Sequence, residues 1–139
     1  MWKIYAVLSA FFAALTAILC KLGVKDIDSN IAMGIRTIVI LFLIWGIIAV
    51  TSSFDYLKNI SLKNYLFLII SGITTGLSWL FYFKAIQSGD ISKVAPIDKL
   101  SLVLTMVLGA VILKETLSFP VIAGGMLIVC GVLVLLFLA

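Results

Sequence analysis

The sequence predicts an all-α integral membrane protein of five spanning helices. Of its 139 residues, 64% are hydrophobic and 12% charged, where soluble domains carry about a quarter charged residues. A soluble domain of this length buries too small a share of its surface to hide so much apolar material. The charges also fall between long apolar runs rather than alternating with them. Together these exclude an ordinary soluble protein, a disordered chain and a disulfide-rich secreted module.

A spanning helix needs about 20 mostly apolar residues, and the elements follow from that length. Ile4 to Cys20 is uncharged and predicts a helix near 4–22. Lys3 ahead of this run would suit the flank of a secretory signal. However, the apolar part is long, no small-x-small cleavage site follows, and Leu19 before Cys20 does not suit lipoprotein processing, so a retained helix is expected. Thr37 to Phe54 predicts a second helix near 31–52, and Asn64 to Phe83 a third near 64–86. Leu100 to Leu113 is too short to span by itself. A fourth helix crosses only if it begins near Val94, giving 94–113, with Asp98 and Lys99 inside it, Pro96 in its first turn and Ser92 or Asp90 as its cap. Thr116 to Ala139 gives a fifth helix near 118–138. The short connections make neighbouring helices antiparallel.

The net charge is +4, but the basic residues sit singly, so no nucleic-acid surface is expected. With the N-terminus on one side of the bilayer, that side holds Lys3, Lys58, Lys63 and Lys114. The other holds Lys21, Lys25, Lys84, Lys93 and Lys99, with Arg36 one turn or more into the second helix. Orientation follows asymmetry in these counts, which is weak here. A single orientation and insertion in both senses stand equal on this ground. Lys21, Lys63, Lys84 and Lys114 are expected to snorkel to the interface, and Trp2, Tyr5, Tyr56 and Tyr65 to form an aromatic belt.

Polar groups within the spans need a reason. Ser71, Thr75, Ser78 and Tyr82 share one face of the third helix, with Trp79 close in angle. Gly72 and Gly76 make a G-x-x-x-G pair that reads as helix packing. Asp98, Ser101 and Thr105 share a face of the fourth helix. Hydroxyls in such places often bond back to their own backbone. Arg36 and Asp98 resist that bland reading and fall on the same side of the bilayer. A buried Arg and Asp cost least when paired, so they are expected to meet directly or through a substrate, with a structural ion pair at the cavity rim as the competing role. The sequence has no His, and Cys20 and Cys130 lie in separate runs, so no metal or other cofactor is expected. There is no phosphate-binding G-x-x-x-x-G-K-[ST] loop, and no nucleophile–base pair stands out, so no catalytic residue is expected and an enzyme is disfavoured.

In chain order, Ala14 to Arg36 (ALTAILCKLGVKDIDSNIAMGIR), Ser71 to Gly89 (SGITTGLSWLFYFKAIQSG), Val94 to Ser101 (VAPIDKLS), Leu108 to Ser118 (LGAVILKETLS) and the closing GGMLIVCGVLVLL resemble a single repeat of the EamA domain, from the drug/metabolite transporter superfamily. The resemblance covers nearly the whole chain. Family members commonly carry two such repeats of opposite orientation in ten helices, so it implies a half-length member of a prokaryotic inner membrane. A homodimer would restore the ten-helix unit. The weak charge bias favours an antiparallel pair over its competitor, a parallel one.

The resemblance implies a secondary transporter, with export as the expected direction, working by alternating access around a cavity lined by helices one to four. Its expected substrates are small polar metabolites such as amino acids and other zwitterionic or anionic compounds. Arg36 is then the anion-binding group, Asp98 its partner or the coupling site, and Lys99 an assistant. Ser71, Thr75, Ser78, Trp79 and Tyr82 would line the path. The alternative function is a non-transporting membrane subunit, or half of a heteromeric lipid or metabolite flippase.

Overall fold

A computed structural model describes residues 1–51 and 60–138. Tyr56 and Lys58 of the expected belt and charge count lie outside these residues, as do position 52 of the second expected helix and Ala139. The described residues form α1 (Trp2–Gly23), α2 (Ser29–Val50), α3 (Leu62–Ser88), α4 (Ile91–Asp98), α5 (Leu100–Ile112) and α6 (Phe119–Leu138). Five stretches are long and apolar enough to cross a bilayer, α4 and α5 together supplying the fourth. Most large apolar side chains along them are exposed within the chain. In water this would be untenable, whereas lipid tails are as apolar as the side chains they touch.

The helix ends follow local chemistry. α2 starts at Ser29, ahead of the expected 31, because the Asp28 carboxylate accepts from the N–H of Asn30 (2.8 Å) and of Ile31 (3.2 Å), a side-chain N-cap. α3 starts at Leu62 because Ser61 Oγ accepts from Asn64 N–H at 3.2 Å. At α6 the Ser118 carbonyl accepts from Val121 and Ile122, and Pro120 sits in the first turn, where its missing N–H costs little.

The fourth span departs most from expectation. It starts at Ile91, not near Val94, because the Asp90 carbonyl accepts from Lys93 and Val94, both at 3.0 Å. Asp90 is the N-cap by position, but its side chain makes no cap bond. Pro96 is therefore inside α4 rather than in its first turn. It withholds a donor from the carbonyl one turn back, and the helix ends two residues later. Lys99, at φ −69° and ψ −6°, joins α4 to α5.

The chain divides into two compact units: residues 1–18 with 88–139, and residues 19–87. In the first, α6 packs against α4 and α5. Gly125 is buried there, and a Cβ on it would lie 2.9 Å from Met106 Cε, so the Met106 side chain fills the space that glycine leaves open. After α5, Leu113 N–H reaches the Gly109 carbonyl at 3.0 Å, and Lys114 at φ 57° turns the chain so that Glu115 N–H reaches the same oxygen at 3.2 Å. The Glu115 carboxylate folds back over Gly109, where a Cβ would lie 3.2 Å from Oε2.

In the second unit, Val24, Phe83 and Ile86 are almost fully buried. Around them Lys21 Nζ donates to the Ile86 carbonyl. Gln87 Nε2 donates to the carbonyls of Val24 (3.1 Å) and Ile27 (2.9 Å). Lys21 caps the last turn of α3, where a cation also meets the negative end of the helix dipole.

Two outcomes follow. Lys114→Gly removes a left-handed strain of about 1 kcal/mol and should raise the midpoint of denaturation in lipid bicelles, while Lys114→Ala should not. Gln87→Leu leaves two carbonyls without their donor and should lower stability by about 1–3 kcal/mol, read by the same titration.

Candidate functional site

Within residues 19–87, α2 and α3 bring together Arg36 and Trp79, two of the residues expected to bind substrate. Arg36 is the eighth residue of α2, so it lies roughly 10 Å along the span from its start. Its guanidinium carbon lies 3.6 Å from the centroid of the Trp79 ring and 5.9 Å from that of Phe83. Trp79 packs edge-on against Tyr82 (centroids 5.4 Å, 77°) and Phe83 (5.9 Å, 61°). Two consecutive turns of α3 build this arrangement, since Trp79 and Phe83 lie four residues apart. Phe83 is the residue that sequence reasoning missed. It continues the same helical face by one turn, which was the available signal.

The indole occupies a face of the guanidinium, and the cation draws on the ring quadrupole. Among the described residues, no carboxylate, carbonyl or hydroxyl accepts a hydrogen bond from Arg36. Its five N–H donors, fixed in one plane, thus remain for a ligand.

The hydroxyls on α3 are arranged differently. Thr75 Oγ1 donates to the Ser71 carbonyl at 2.7 Å, and Thr74 Oγ1 donates to the same oxygen at 2.9 Å. Thr37 on α2 likewise donates to Met33 O at 2.9 Å. Each hydroxyl proton is committed to the helix backbone, as expected for threonine in such a setting, so what these side chains offer outward is oxygen lone pairs. Ser71 and Ser78 are exposed on the same helix and Tyr82 is half-buried. A Cβ on Gly72 or Gly76 would meet no described atom within 4 Å, so no described element of this chain uses the close approach that this pair permits.

Asp98 and Lys99 belong to the other unit, at the α4–α5 break. Lys99 Nζ lies 3.4 Å from Asp98 Oδ2, and both side chains are partly exposed. About two helical turns on, Thr105 Oγ1 donates to Ser101 O at 2.8 Å. Arg36 and Asp98 each have a partner within their own unit: the Trp79 ring for one, the neighbouring lysine for the other.

No described group of His, Cys, Asp and Glu is arranged to hold a metal ion. A groove of about 250 Å³ between α5 and α6 is lined by apolar residues including Val103, Met106, Leu117 and Val129. It offers little to orient a polar ligand.

The stacked pair is open to a direct test. A double-mutant cycle over Arg36→Gln and Trp79→Leu should return a coupling of about 1–2 kcal/mol in stability. Additive effects would mean that the contact contributes nothing.

Comparison with known proteins places these features in context. The model of the EamA-like transporter family matches residues 1–137. A Sinorhizobium protein described as an uncharacterized transporter in the cobO 3′ region is 45% identical over 134 residues, spanning 96% of this chain and 95% of that protein. An uncharacterized protein of Methanocaldococcus jannaschii is 32% identical over 81 residues, spanning 56% of this chain and 59% of that protein. No solved structure matches the chain.

Proposed function

The chain belongs to the EamA-like transporter family, and from that premise we propose that it is a secondary carrier that exports small anionic or zwitterionic metabolites across a prokaryotic inner membrane. The observation that carries this reading is Arg36. It is a permanent cation well inside a membrane span, stacked on Trp79 at 3.6 Å, with its donors uncommitted among the described residues. Leaving a charge there is costly unless a ligand completes it. A planar fork of N–H groups matches carboxylate and phosphate oxygens, and stacking holds that fork rigid before the ligand arrives, which lowers the entropy lost on binding.

Asp98 is proposed as the coupling group. Its ion pair with Lys99 lies beside a helix interruption, and protonation of the carboxylate would release the lysine. Such a break within a span is where carriers place binding and coupling groups. Tyr82, Ser78 and Ser71 are proposed to line the substrate path, and Gly72 and Gly76 to receive a closely packed helix of a second copy. The working unit is read as an antiparallel homodimer, in which two five-helix repeats of opposite sense recreate a ten-helix carrier. No chemical step is involved.

Proteoliposomes containing the purified chain test this. Exchange of anionic metabolites should fall at least about 10-fold in Arg36→Ala, the loss expected for a charge-assisted hydrogen bond. Asp98→Asn should abolish accumulation driven by a proton gradient while sparing exchange. Unchanged transport in Arg36→Ala, with the protein still folded, would sink the role of Arg36. Topology is checked separately, by a reporter after Ala139 and a single-cysteine label between positions 55 and 63. Signal from both sides of the membrane is expected, and signal from one side would remove the antiparallel dimer.

A further inference from the structure

Burial within residues 19–87 is confined to one end, and we propose that this end is a gate, in which Lys21 and Gln87 latch the turn between α1 and α2 to the end of α3 and close the Arg36 site on that side. The inference rests on the carrier reading above, which needs a site that opens to one side of the membrane at a time. Arg36 follows the α2 cap, Asp28, by eight residues, and Trp79 precedes Gln87 by eight. Both helices therefore put the latch about 12 Å along the span from the stacked pair. Between the two, α3 places Phe83 and Ile86, which with Val24 are almost fully buried and form an apolar plug. In the other direction, none of residues 30–50 of α2 and none of residues 62–82 of α3 is buried. Packing within this unit is thus tight on one side of Arg36 only.

The polar contacts hold the turn as much as the helix. Lys21 Nζ donates to the Ile86 carbonyl and so ties α1 to the last turn of α3. Gln87 Nε2 donates to the carbonyls of Val24 at 3.1 Å and Ile27 at 2.9 Å, and neither of these belongs to α3. Both lie where a span ends and water at the bilayer surface is the alternative donor. Breaking such a bond exchanges one donor for another, so each shifts the ratio of closed to open forms by only about 2- to 10-fold. What the amide fixes is the position of the turn over the plug. An apolar plug held by exchangeable hydrogen bonds is a two-state element with a modest bias, which a transport cycle can release and restore.

The test reads the plug and the path separately. Val24→Cys, in a chain that also carries Cys20→Ser and Cys130→Ser, puts a small hydrophobic thiol in the plug. In phosphatidylcholine nanodiscs a charged methanethiosulfonate should modify that thiol slowly. The rate should rise about 2- to 10-fold in Lys21→Met, which removes one bond, and further in Gln87→Leu, which removes two. Lys21→Arg keeps a donor and should stay at the starting rate. Lys21→Met retains the aliphatic stem and carries the test alone where Gln87→Leu does not fold. In proteoliposomes, loss of both latch groups should pass chloride down its gradient at least about 10-fold faster, the combined effect of three such bonds, and Arg36→Ala should remove the added flux. A merely structural role would lower the denaturation midpoint with the labelling rate unchanged, and that result overturns the gate. Faster labelling without chloride flux overturns it as well. Added flux that ignores Arg36→Ala keeps the gate and removes the anion-binding role of Arg36 on which the carrier reading rests.

Discussion

A backbone carbonyl left over where a helix ends needs a donor, and the junction of α1 with α3 is built around that fact. The last turn of α3 and the stretch after α1 both carry carbonyls that a continuous helix would have satisfied. Lys21 closes one of them at Ile86, and Gln87 closes two more at Val24 and Ile27. These contacts lie beside the best-buried side chains of residues 19–87, namely Val24, Phe83 and Ile86. With that end of α3 fixed, Phe83 and Trp79 take their places one and two turns below Gln87, and Trp79 meets Arg36. The aromatic support of the candidate site thus depends on polar contacts nearer the helix end.

The two units use different devices to the same end. Around Arg36, one element supplies a cation and another supplies the ring surface that orients it. Around Asp98, the helix is interrupted and two adjacent residues of opposite charge neutralise each other. A stacked guanidinium keeps its donors, whereas a carboxylate beside its own lysine is already compensated. This asymmetry is why the anion-binding role is assigned to Arg36, and a role that depends on breaking a pair is assigned to Asp98.

The hydroxyl groups carry a general lesson about reading polar stripes. Ser71, Thr75, Ser78 and Tyr82 fall on one face by helical spacing, and that was legible in the sequence. Their hydrogen-bonding character was not, because a threonine can donate or accept and only the backbone around it decides. Thr74 and Thr75 both turn their protons onto one carbonyl, which leaves these two side chains as acceptors. Gln87 illustrates the opposite case. A lone amide in the last turn of an apolar helix asks for an explanation, yet nothing local indicates that its partners lie some 60 residues earlier.

Composition and run length by themselves determined that this chain spans a membrane with five helical stretches, because the bilayer fixes both the length and the polarity of any segment that crosses it. The singular Arg36, the polar face of α3 and the order of the family-like segments were equally plain. The tertiary structure decided where the fourth span breaks, because a proline acts according to its distance from the helix start, and that start was set by the Asp90 carbonyl rather than by hydrophobicity. It decided as well that Arg36 rests on Trp79, since a guanidinium several bonds from the backbone takes its position from the neighbouring helix. Side-chain reach and backbone hydrogen bonding depend on what lies across the interface, and a linear pattern of residue types does not hold that information.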